Sequence, residues 1–438
     1  MQAYTARHVL LSCGQGTFKV VLGARHNLRA LQGALEQRIY QPAGSSPSHS
    51  LLPKLASRIS QRNINLSSRA VAAPPSAPLA SSSSQPNKYD TELAAAVEAV
   101  RLASQLCQAV QVELKAGEKS EKGDASPVTV ADYGAQALVA WSLQQSFPEA
   151  KLSLVAEEDA EDLRAPEGQA MLERITHLVN EALCTLPSPP EHLQPQQVAD
   201  LIDCGGSQGG PVGRHWVLDP IDGTRGFVGM RQYAVCLGML QEGQVVVGVL
   251  GCPNMPQAAI SDEDCDDVAS RSFDESIGML FAAQRGCGTY AGSLWSEALP
   301  MQRVFVDDLP PAQCQYMESF ETKHSDHALA AGIAQEIGVE LPSLRLDSQA
   351  KYGALARGDA SIFMRFPPVT YREKIWDHCA GSIVVEEAGG KISDATGQPL
   401  DFSQGRYLPL NPGQPGIIAA TPSMHAAILN AFRKLANP

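Results

Sequence analysis

In the segment WVLDPIDGT, residues 216–224, an apolar run typical of a strand leads into two carboxylates and a glycine. Asp219 and Asp222 are three residues apart at the predicted end of a strand, so their oxygens can be aimed at one point. Mg²⁺ prefers oxygen ligands of this kind, together with waters and phosphate. Gly223 lets the backbone approach a ligand, and a helix beginning at Thr224 offers amide donors to an anion. The alternative is an ordinary Asp- and Gly-containing turn without a ligand.

Three more carboxylates occur in similar positions. Glu157 and Glu158 end the apolar run 152–156, and Asp377 precedes a predicted helix that it alternatively caps. In α/β proteins ligands gather at the carboxyl ends of strands, so we expect the acidic groups to face one crevice. Converging carboxylates repel one another unless cations neutralise them, and the constellation therefore implies bound metal.

Such a site predicts hydrolysis of a phosphate ester. In a two-metal site one ion lowers the pKa of the attacking water while the other stabilises the leaving oxygen. A base must still accept the proton of the water, and Asp124 hydrogen-bonded to Thr224 is a suitable relay. The alternative for Asp124 is an Asx turn ahead of Ser126 and Pro127.

The first 86 residues differ in composition from the rest of the chain. They contain nine Lys or Arg and one acidic residue in a sequence rich in Ser, Ala, Gln and Pro. An Arg- and Ser-rich, acid-poor N-terminus is typical of an organellar transit peptide followed by a disordered linker. A disordered cytosolic extension is the alternative. We expect a chloroplast protein, or alternatively a mitochondrial one or both.

Residues 87–438 are strongly acidic. The whole chain has a net charge of −13 and the first 86 residues contribute +8, so this part carries −21. Such a charge argues against nucleic acid as a partner. No apolar run reaches the ~18 residues that span a bilayer, so no membrane partner is expected. The ten cysteines include no Cys-x-x-Cys pair, which argues against a zinc ribbon or a thioredoxin-type motif.

Helices and strands are predicted to alternate in this body. Helical spacing of apolar residues predicts helices from residue 90 and over residues 131–147, 172–183 and 328–337. Apolar runs predict strands at residues 152–156, 216–218, 234–240, 245–250 and 277–283. Residues 122–129 are predicted as a loop, and 163–214 and 262–276 as insertions, the last an acidic solvated loop. The alternation favours an α/β or layered α+β fold.

The chain resembles the lithium-sensitive, magnesium-dependent phosphatases that include inositol monophosphatase and fructose-1,6-bisphosphatase. Glu157 with Glu158, the run 219–224, and Trp376 with Asp377 occur in the order found in that family. Within it the chain is most similar to the 3'(2'),5'-bisphosphate nucleotidases of plants and green algae, from about residue 89 onward. This similarity rests on KGDASPVTVADYG (122–134), RHWVLDPIDGT (214–224), DSQAKYGALAR (347–357), FMRFP (363–367) and YREKIWDHCAG (371–381).

The resemblance implies an αβαβα sandwich with two lobes, residues 87–300 and 301–438, and assigns roles to individual residues. Two or three Mg²⁺ ions would be held by Glu157, Asp219, Asp222 and Asp377, and by the carbonyl of Ile221. Asp124 would be the proton acceptor, working with Thr224. The substrate would be bound by Thr224, His324, Ser348, Lys351 and Arg365. Glu158 and Gly223 are secondary candidates for the site, without an assigned role. Lys and Arg beside an acidic metal site suit a second phosphate.

The implied reaction removes the 3'-phosphate of adenosine 3',5'-bisphosphate to give AMP, with 3'-phosphoadenylyl sulfate as a second substrate. Such an enzyme clears a by-product of sulfur metabolism, is inhibited by Li⁺, and is expected to be a monomer. An inositol monophosphatase or inositol polyphosphate 1-phosphatase is the enzymatic alternative, and a catalytically dead phosphate-binding scaffold is the other. The sequence retains every expected ligand and the base, which disfavours the scaffold.

Overall fold

Two β-sheets organise most of the chain in the computed structural model. It describes residues 8–13, 16–21, 87–115, 127–260, 276–296, 302–320 and 325–436. The chain divides into two compact units, Met1–Ser83 and Ser84–Pro438. In the first unit, β1 (His8–Cys13) and β2 (Gly16–Val21) form an antiparallel hairpin in which His8 lies opposite Val21. Everything described below belongs to the second unit.

The larger sheet has seven strands. They are β3 (Leu154–Ala156), β4 (Arg214–Asp222), β5 (Ala234–Gln241), β6 (Gln244–Pro256), β7 (Ile277–Gln284), β8 (Gly288–Ser293) and β9 (Gln302–Val304). Neighbours in the sheet follow chain order, and only β3 and β4 run parallel. Strands β5, β6 and β7 are buried almost throughout, because helices cover both faces of the sheet. Continuous apolar runs are the sequence pattern of such doubly covered strands.

The smaller sheet has five strands in the order β11-β10-β12-β14-β13. They are β10 (Tyr316–Glu318), β11 (Leu344–Arg345), β12 (Ile362–Arg365), β13 (Lys391–Asp394) and β14 (Ile417–Ala420). Side chains alternate between the two faces of a strand. Phe363 and Ala419 therefore join the core on one face of this sheet, while Ile362 and Ile418 join the core on the other.

Helices form three layers around these sheets. They are α1 (Asp90–Lys115), α2 (Pro127–Ser146), α3 (Glu161–Arg164), α4 (Gln169–Cys184), α5 (Pro195–Asp203), α6 (Thr224–Val228), α7 (His327–Glu336), α8 (Ala350–Arg357), α9 (Cys379–Glu387) and α10 (Pro422–Leu435). Helices α1 and α2, backed by α4 and α5, cover the outer face of the larger sheet. Helices α8 and α9 lie between the sheets, and α7 and α10 cover the outer face of the smaller one. The predicted αβαβα layering is confirmed.

Two local predictions were wrong. Helix α2 begins at Pro127, inside the predicted loop 122–129, because proline is well tolerated in the first helical turn. Helix α5 lies within the predicted insertion 163–214, after the predicted helix 172–183, where no second helix was expected. It begins with Pro195 and has a capping box between Gln194 and Gln197. Its buried residues Val198, Leu201 and Ile202 pack into the core, so this segment is structural.

Some predictions concern residues outside the described ranges. These are the acidic loop, from residue 262 to 275, the boundary between residues 300 and 301, and the predicted transit peptide apart from the hairpin. All of them stay predictions. Among the described helices, none combines the length and the apolar character required to cross a membrane.

Candidate active site

The ends of the parallel strands β3 and β4 bring the first two acidic clusters together. Ala156 lies opposite Leu218 in the ladder, so Glu157, the first residue after β3, is at the level of Asp219 in β4. Both line a cavity of about 360 Å³. Arg406 holds this edge by donating hydrogen bonds to the carbonyl oxygens of Ala156 and, at 3.1 Å, Gly205.

A β-bulge explains how Asp219 and Asp222 can both face this cavity. In a regular strand, residues three apart point to opposite faces. Here Asp219 lies opposite Cys236 and Asp222 opposite Ala234, so β4 contains one residue more than β5 over this stretch. Such an extra residue bends the strand and redirects side chains. Both carboxylates line the cavity as a result.

Gly223 makes the turn that follows. Its φ of +88° is in the left-handed region, and a Cβ there would lie 2.8 Å from the Cβ of Ser348 and 3.3 Å from the carbonyl oxygen of Gln232. A side chain is therefore excluded both by backbone conformation and by space. Helix α6 then begins at Thr224, as the sequence predicts.

The cavity is lined by ten of the thirteen predicted site residues. These are Glu157, Asp219, Ile221, Asp222, Gly223, Thr224, Ser348, Lys351, Arg365 and Asp377. Glu158 is not among the described lining residues; its carboxylate hydrogen-bonds with Tyr133, and burial together with Glu157 raises its pKa to about 7. Asp124 and His324 lie outside the described residues, so their places stay predictions.

Asp377 does not cap helix α9. The helix begins at Cys379 with His378 at the N-cap position, and no side chain caps it. Asp377 lines the cavity with the other carboxylates instead. The capping alternative is therefore wrong, and Asp377 is free of that role.

The carboxylates have the electrostatics of a cation site. Burial raises the pKa of Asp219 well above its usual value, and the nearby charges of Asp222 and Glu157 raise it further. Burial also raises the pKa values of Glu157, Asp222 and Asp377, and neighbouring acids add to the effect in Glu157 and Asp377. The buried Oδ1 of Asp219 has no hydrogen-bond partner. Clustered carboxylate oxygens, one of them without a hydrogen-bond partner, are the type of ligand that Mg²⁺ prefers.

Gln349 connects the acidic residues and was missed from the sequence. Its backbone N–H donates to Oδ2 of Asp222 at 2.6 Å. Its side chain donates to the carbonyl oxygen of Trp376 at 2.8 Å and accepts from the N–H of Gly381 at 2.9 Å. Ser348 precedes it with a φ of +67°, a strained conformation for a residue other than glycine. Gln349, the residue before α8, therefore contacts both β4 and α9.

Two cationic side chains, Lys351 and Arg365, also line the cavity and form its cationic wall. Lys351 is 4% exposed, and its Nζ donates to Oγ of Ser319 at 3.1 Å and to the carbonyl oxygen of Leu346 at 2.9 Å. Burial lowers the pKa of Lys351 to about 8, against the opposite effects of Asp347 and Asp222. Arg365 leaves β12 beside it. A buried lysine with a lowered pKa next to an arginine suits an anionic ligand.

Glu373 fixes Arg365 from behind and was also missed from the sequence. Nε of Arg365 donates to Oε1 of Glu373 at 2.7 Å, and Nε2 of His378 lies 3.0 Å from Oε2. The hydroxyl of Tyr352 lies 2.7 Å from Nδ1 of His378. Although burial alone raises the pKa of Glu373, Arg365 and His378 lower it to about 2.

Glu373, Asp377 and His378 place potential ligand atoms within 4.8 Å of one another. Glu373 is engaged by Arg365, and His378 lies between Glu373 and Tyr352. Of the three, Asp377 is therefore the group best placed to bind a cation together with the carboxylates of β4. No local sequence pattern pointed to Glu373, because its role depends on its contact with Arg365, eight residues earlier, and on the surrounding fold.

Comparison with known proteins identifies the family. A model of the inositol monophosphatase family matches residues 88–436. A 3'(2'),5'-bisphosphate nucleotidase of Oryza sativa is 47% identical over 349 residues, which are 79% of this chain and 95% of that protein. The 3'(2'),5'-bisphosphate nucleotidase 1 of Arabidopsis thaliana is 51% identical over 302 residues, 69% of this chain and 84% of that protein. The solved inositol monophosphatase from Anabaena aligns with 80% of this chain and 97% of its own at 19% identity, with a TM-score of 0.47. This chain belongs to the inositol monophosphatase family.

Proposed function

We propose that this protein is a magnesium-dependent 3'(2'),5'-bisphosphate nucleotidase that converts adenosine 3',5'-bisphosphate to AMP and phosphate. One observation carries the proposal: a single cavity is lined both by four carboxylates, its acidic wall, and by the cationic side chains of Lys351 and Arg365, its cationic wall. The acidic wall suits metal cations, which would bind the phosphate group that is removed. The cationic wall suits a second phosphate, which a monophosphate substrate lacks. Relatives at 47% and 51% identity with nucleotidase names support the same reading.

The carboxylates Glu157, Asp219, Asp222 and Asp377 would hold Mg²⁺ with the carbonyl of Ile221, and we propose two or three ions. Bound Mg²⁺ would supply a water of lowered pKa and stabilise the leaving oxygen. Asp124 with Thr224 would accept the proton of that water. A monovalent ion of similar size, Li⁺, is expected to occupy one of the metal positions and inhibit turnover.

Protein side chains would hold the part of the nucleotide that the metal ions do not bind. Lys351 and Arg365 would bind the phosphate that stays on the product, and Ser348 and His324 would orient the rest of the molecule. Glu373 would keep the guanidinium of Arg365 in place, since the two form a buried ion pair at 2.7 Å. Rigid support of this kind keeps a bound phosphate within the geometry needed for reaction.

We further propose 3'-phosphoadenylyl sulfate as a second substrate and a role in clearing by-products of sulfur metabolism. The N-terminal composition supports a chloroplast transit peptide, with mitochondrial import as the alternative. We propose a monomer that binds neither nucleic acid nor membrane, in keeping with the acidic charge of residues 87–438.

Phosphate release by the purified full-length chain tests the activity. The substrates are adenosine 3',5'-bisphosphate, 3'-phosphoadenylyl sulfate, AMP, inositol 1-phosphate, inositol 1,4-bisphosphate and fructose 1,6-bisphosphate, each with and without Mg²⁺ and Li⁺. We expect strong preference for the adenosine bisphosphate, dependence on Mg²⁺ and inhibition by Li⁺. Preference for an inositol phosphate would retain the metal chemistry and overturn the nucleotide assignment.

A pair of variants locates the activity. Asp222→Asn removes a charge from the acidic wall, whereas Asp200→Asn removes one from an exposed ion pair with Arg164. We expect loss of turnover only in Asp222→Asn, with both proteins folded by circular dichroism. Equal activity of the two variants would refute the proposed metal site.

A further inference from the structure

Arg406 lies between the chain segments that carry two of the proposed metal ligands. Glu157 follows β3 at the edge of the larger sheet, whereas Asp377 lies between β12 of the smaller sheet and α9. Arg406 belongs to the connection from β13 to β14 and is not among the described residues that line the cavity. Its contacts nevertheless reach the residue before each of the two carboxylates.

The guanidinium of Arg406 holds the segment of Glu157. Its Nη1 donates to the carbonyl oxygens of Gly205 and Ser207, each at 3.1 Å, and its Nη2 donates to that of Ala156. The carbonyl oxygen of Gly205 also accepts from the N–H of Ala156 at 3.0 Å. The guanidinium therefore closes the outer edge of β3 at the point where the chain continues to Glu157. Only the planar fork of arginine presents donors to three carbonyl oxygens in this way.

The same residue holds the segment of Asp377. The carbonyl oxygen of Arg406 accepts from the N–H of Ile375 at 3.1 Å. Its Cζ lies 4.7 Å from the ring centroid of Trp376, a cation–π contact, and Trp376 is only 2% exposed. Backbone and side chain of Arg406 thus both contact the two residues that precede Asp377.

We propose that Arg406 is a positioning residue that sets the spacing between Glu157 and Asp377 for the metal ions. The inference rests on the metal site proposed above. Mg²⁺ demands near-ideal octahedral geometry, so ligands from two different sheets must be held at a fixed separation. One side chain that is bonded next to both ligands supplies this constraint, as outer partners of metal ligands commonly do.

The charge of Arg406 has the opposite effect on cation binding. Burial and the charge of Asp222 raise the pKa of Glu157, while the charges of Lys374 and Arg406 act in the other direction. The guanidinium is thus close enough to Glu157 to repel a cation that binds there. By charge alone, removing it would strengthen cation binding. Loss of positioning would weaken the binding, so the sign of the change separates the two effects.

Mn²⁺ titration of the full-length chain without substrate, followed by the EPR signal of the free ion, measures this sign. Mn²⁺ shares the octahedral oxygen coordination of Mg²⁺. Arg406→Met removes the charge and the hydrogen bonds, whereas Arg406→Lys keeps the charge and loses the fork. We expect both to weaken Mn²⁺ binding at least about tenfold, since loss of an outer partner of a ligand typically costs about 10–100-fold.

Unchanged or tighter Mn²⁺ binding in a folded Arg406→Met protein would overturn the proposal. If circular dichroism shows that this variant does not fold, Arg406→Lys decides, and wild-type affinity in it would overturn the proposal equally. A wild-type chain that binds no Mn²⁺ would overturn the metal site itself, and the role of Arg406 with it.

Arg285→Met is the matched control. Nε and Nη2 of Arg285 donate to the carbonyl oxygen of Val245 at 3.2 and 2.9 Å, and Arg285 is not among the described lining residues of the cavity. This variant also loses arginine–carbonyl bonds, but it should keep the wild-type affinity for Mn²⁺. Weakening equal to that in Arg406→Met would show a general structural effect and overturn the proposal.

Kinetics give a second readout. In Arg406→Lys the Mg²⁺ concentration for half-maximal phosphate release should rise by the same factor as the dissociation constant of Mn²⁺. KM for adenosine 3',5'-bisphosphate at saturating Mg²⁺ should be unchanged, because Lys351 and Arg365 are untouched. A raised KM with unchanged Mg²⁺ dependence would contradict a role in positioning the metal ligands.

Discussion

Replacing Glu373 by Gln tests how the cationic wall is supported. The carboxylate of Glu373 is fully buried and lies 2.7 Å from Nε of Arg365, whose side chain is 19% exposed. Glutamine has nearly the same shape, so the substitution removes the charge without leaving a cavity. The largely buried positive charge of Arg365 then loses its partner, and the free energy of unfolding should fall.

Two routes give the size of this effect. Loss of one partner of a buried ion pair typically costs about 3–5 kcal/mol. Independently, the pKa of Glu373 is about 2 in the folded chain against 4.5 in the reference state, and each pKa difference of one corresponds to about 1.36 kcal/mol. The ionised carboxylate therefore contributes about 3 kcal/mol. Both routes predict a loss of about 3 kcal/mol at neutral pH.

The pKa also predicts how the loss depends on pH. Because the folded-state pKa is lower than the unfolded one, the stabilisation is fully present above about pH 4.5. It is lost as the pH falls from there towards about 2. The difference in unfolding free energy between wild type and variant should therefore be constant from pH 7 to about 5 and shrink below that.

Urea unfolding in EDTA measures both predictions, and the chain offers a matched control. Arg285 and Glu386 are also 2.7 Å apart, but their side chains are 42% and 36% exposed. Exposed pairs contribute about 0–1 kcal/mol, so Glu386→Gln should cost less than about 1 kcal/mol. Equal losses in the two variants, or a loss below about 1 kcal/mol for Glu373→Gln, would refute the reasoning.

Three further predictions concern the cavity. Gly223→Ala should lower the free energy of unfolding, measured in urea, by about 1–2 kcal/mol because of the positive φ at this position. The substitution should also lower kcat at least about tenfold, because it displaces the neighbouring Asp222. An unchanged kcat would contradict the need for glycine. Since burial lowers the pKa of Lys351 to about 8, KM for the bisphosphate should rise several-fold from about pH 7 to about pH 9, whereas Lys351→Met should show a high KM at both. The raised pKa values of Asp219, Asp377 and Glu157 make the metal-free fold less stable as pH rises, so the gain in Tm on adding Mg²⁺ should be larger at about pH 8 than at about pH 5.5.

The sequence predicted those parts of the site that follow from local pattern. Glu157 and Asp219 end apolar runs, and the structure places Glu157 just after β3 and Asp219 on the parallel neighbour β4. The helix after Gly223 was likewise indicated by a glycine turn. The assignment of Ser348, Lys351 and Arg365 came from resemblance alone, since nothing local distinguishes them from surface residues. The structure brings all three to the cavity.

Other features depend on contacts between distant segments, and local patterns contain no trace of them. The bulge between Asp219 and Asp222 is visible only in the register with β5. Gln349 acts through its backbone N–H, which every residue except proline has, so its residue type does not mark it. The start of α2 was placed too late because Ser126 and Pro127 are common both in turns and in first helical turns.

Gln349 explains how mutually repelling carboxylates stay together in the absence of a cation. Asp222 lies on β4 and Asp377 just before α9, and their like charges favour separation. Gln349 is bonded to Asp222 through its N–H, and to Trp376 and Gly381 on either side of Asp377 through its side chain. Because these bonds use only one carboxylate oxygen, Oδ2 of Asp222, the acidic wall is fixed in position while other oxygens remain for a cation. A cation that binds then removes the repulsion without having to assemble the site, which is the advantage of preorganisation.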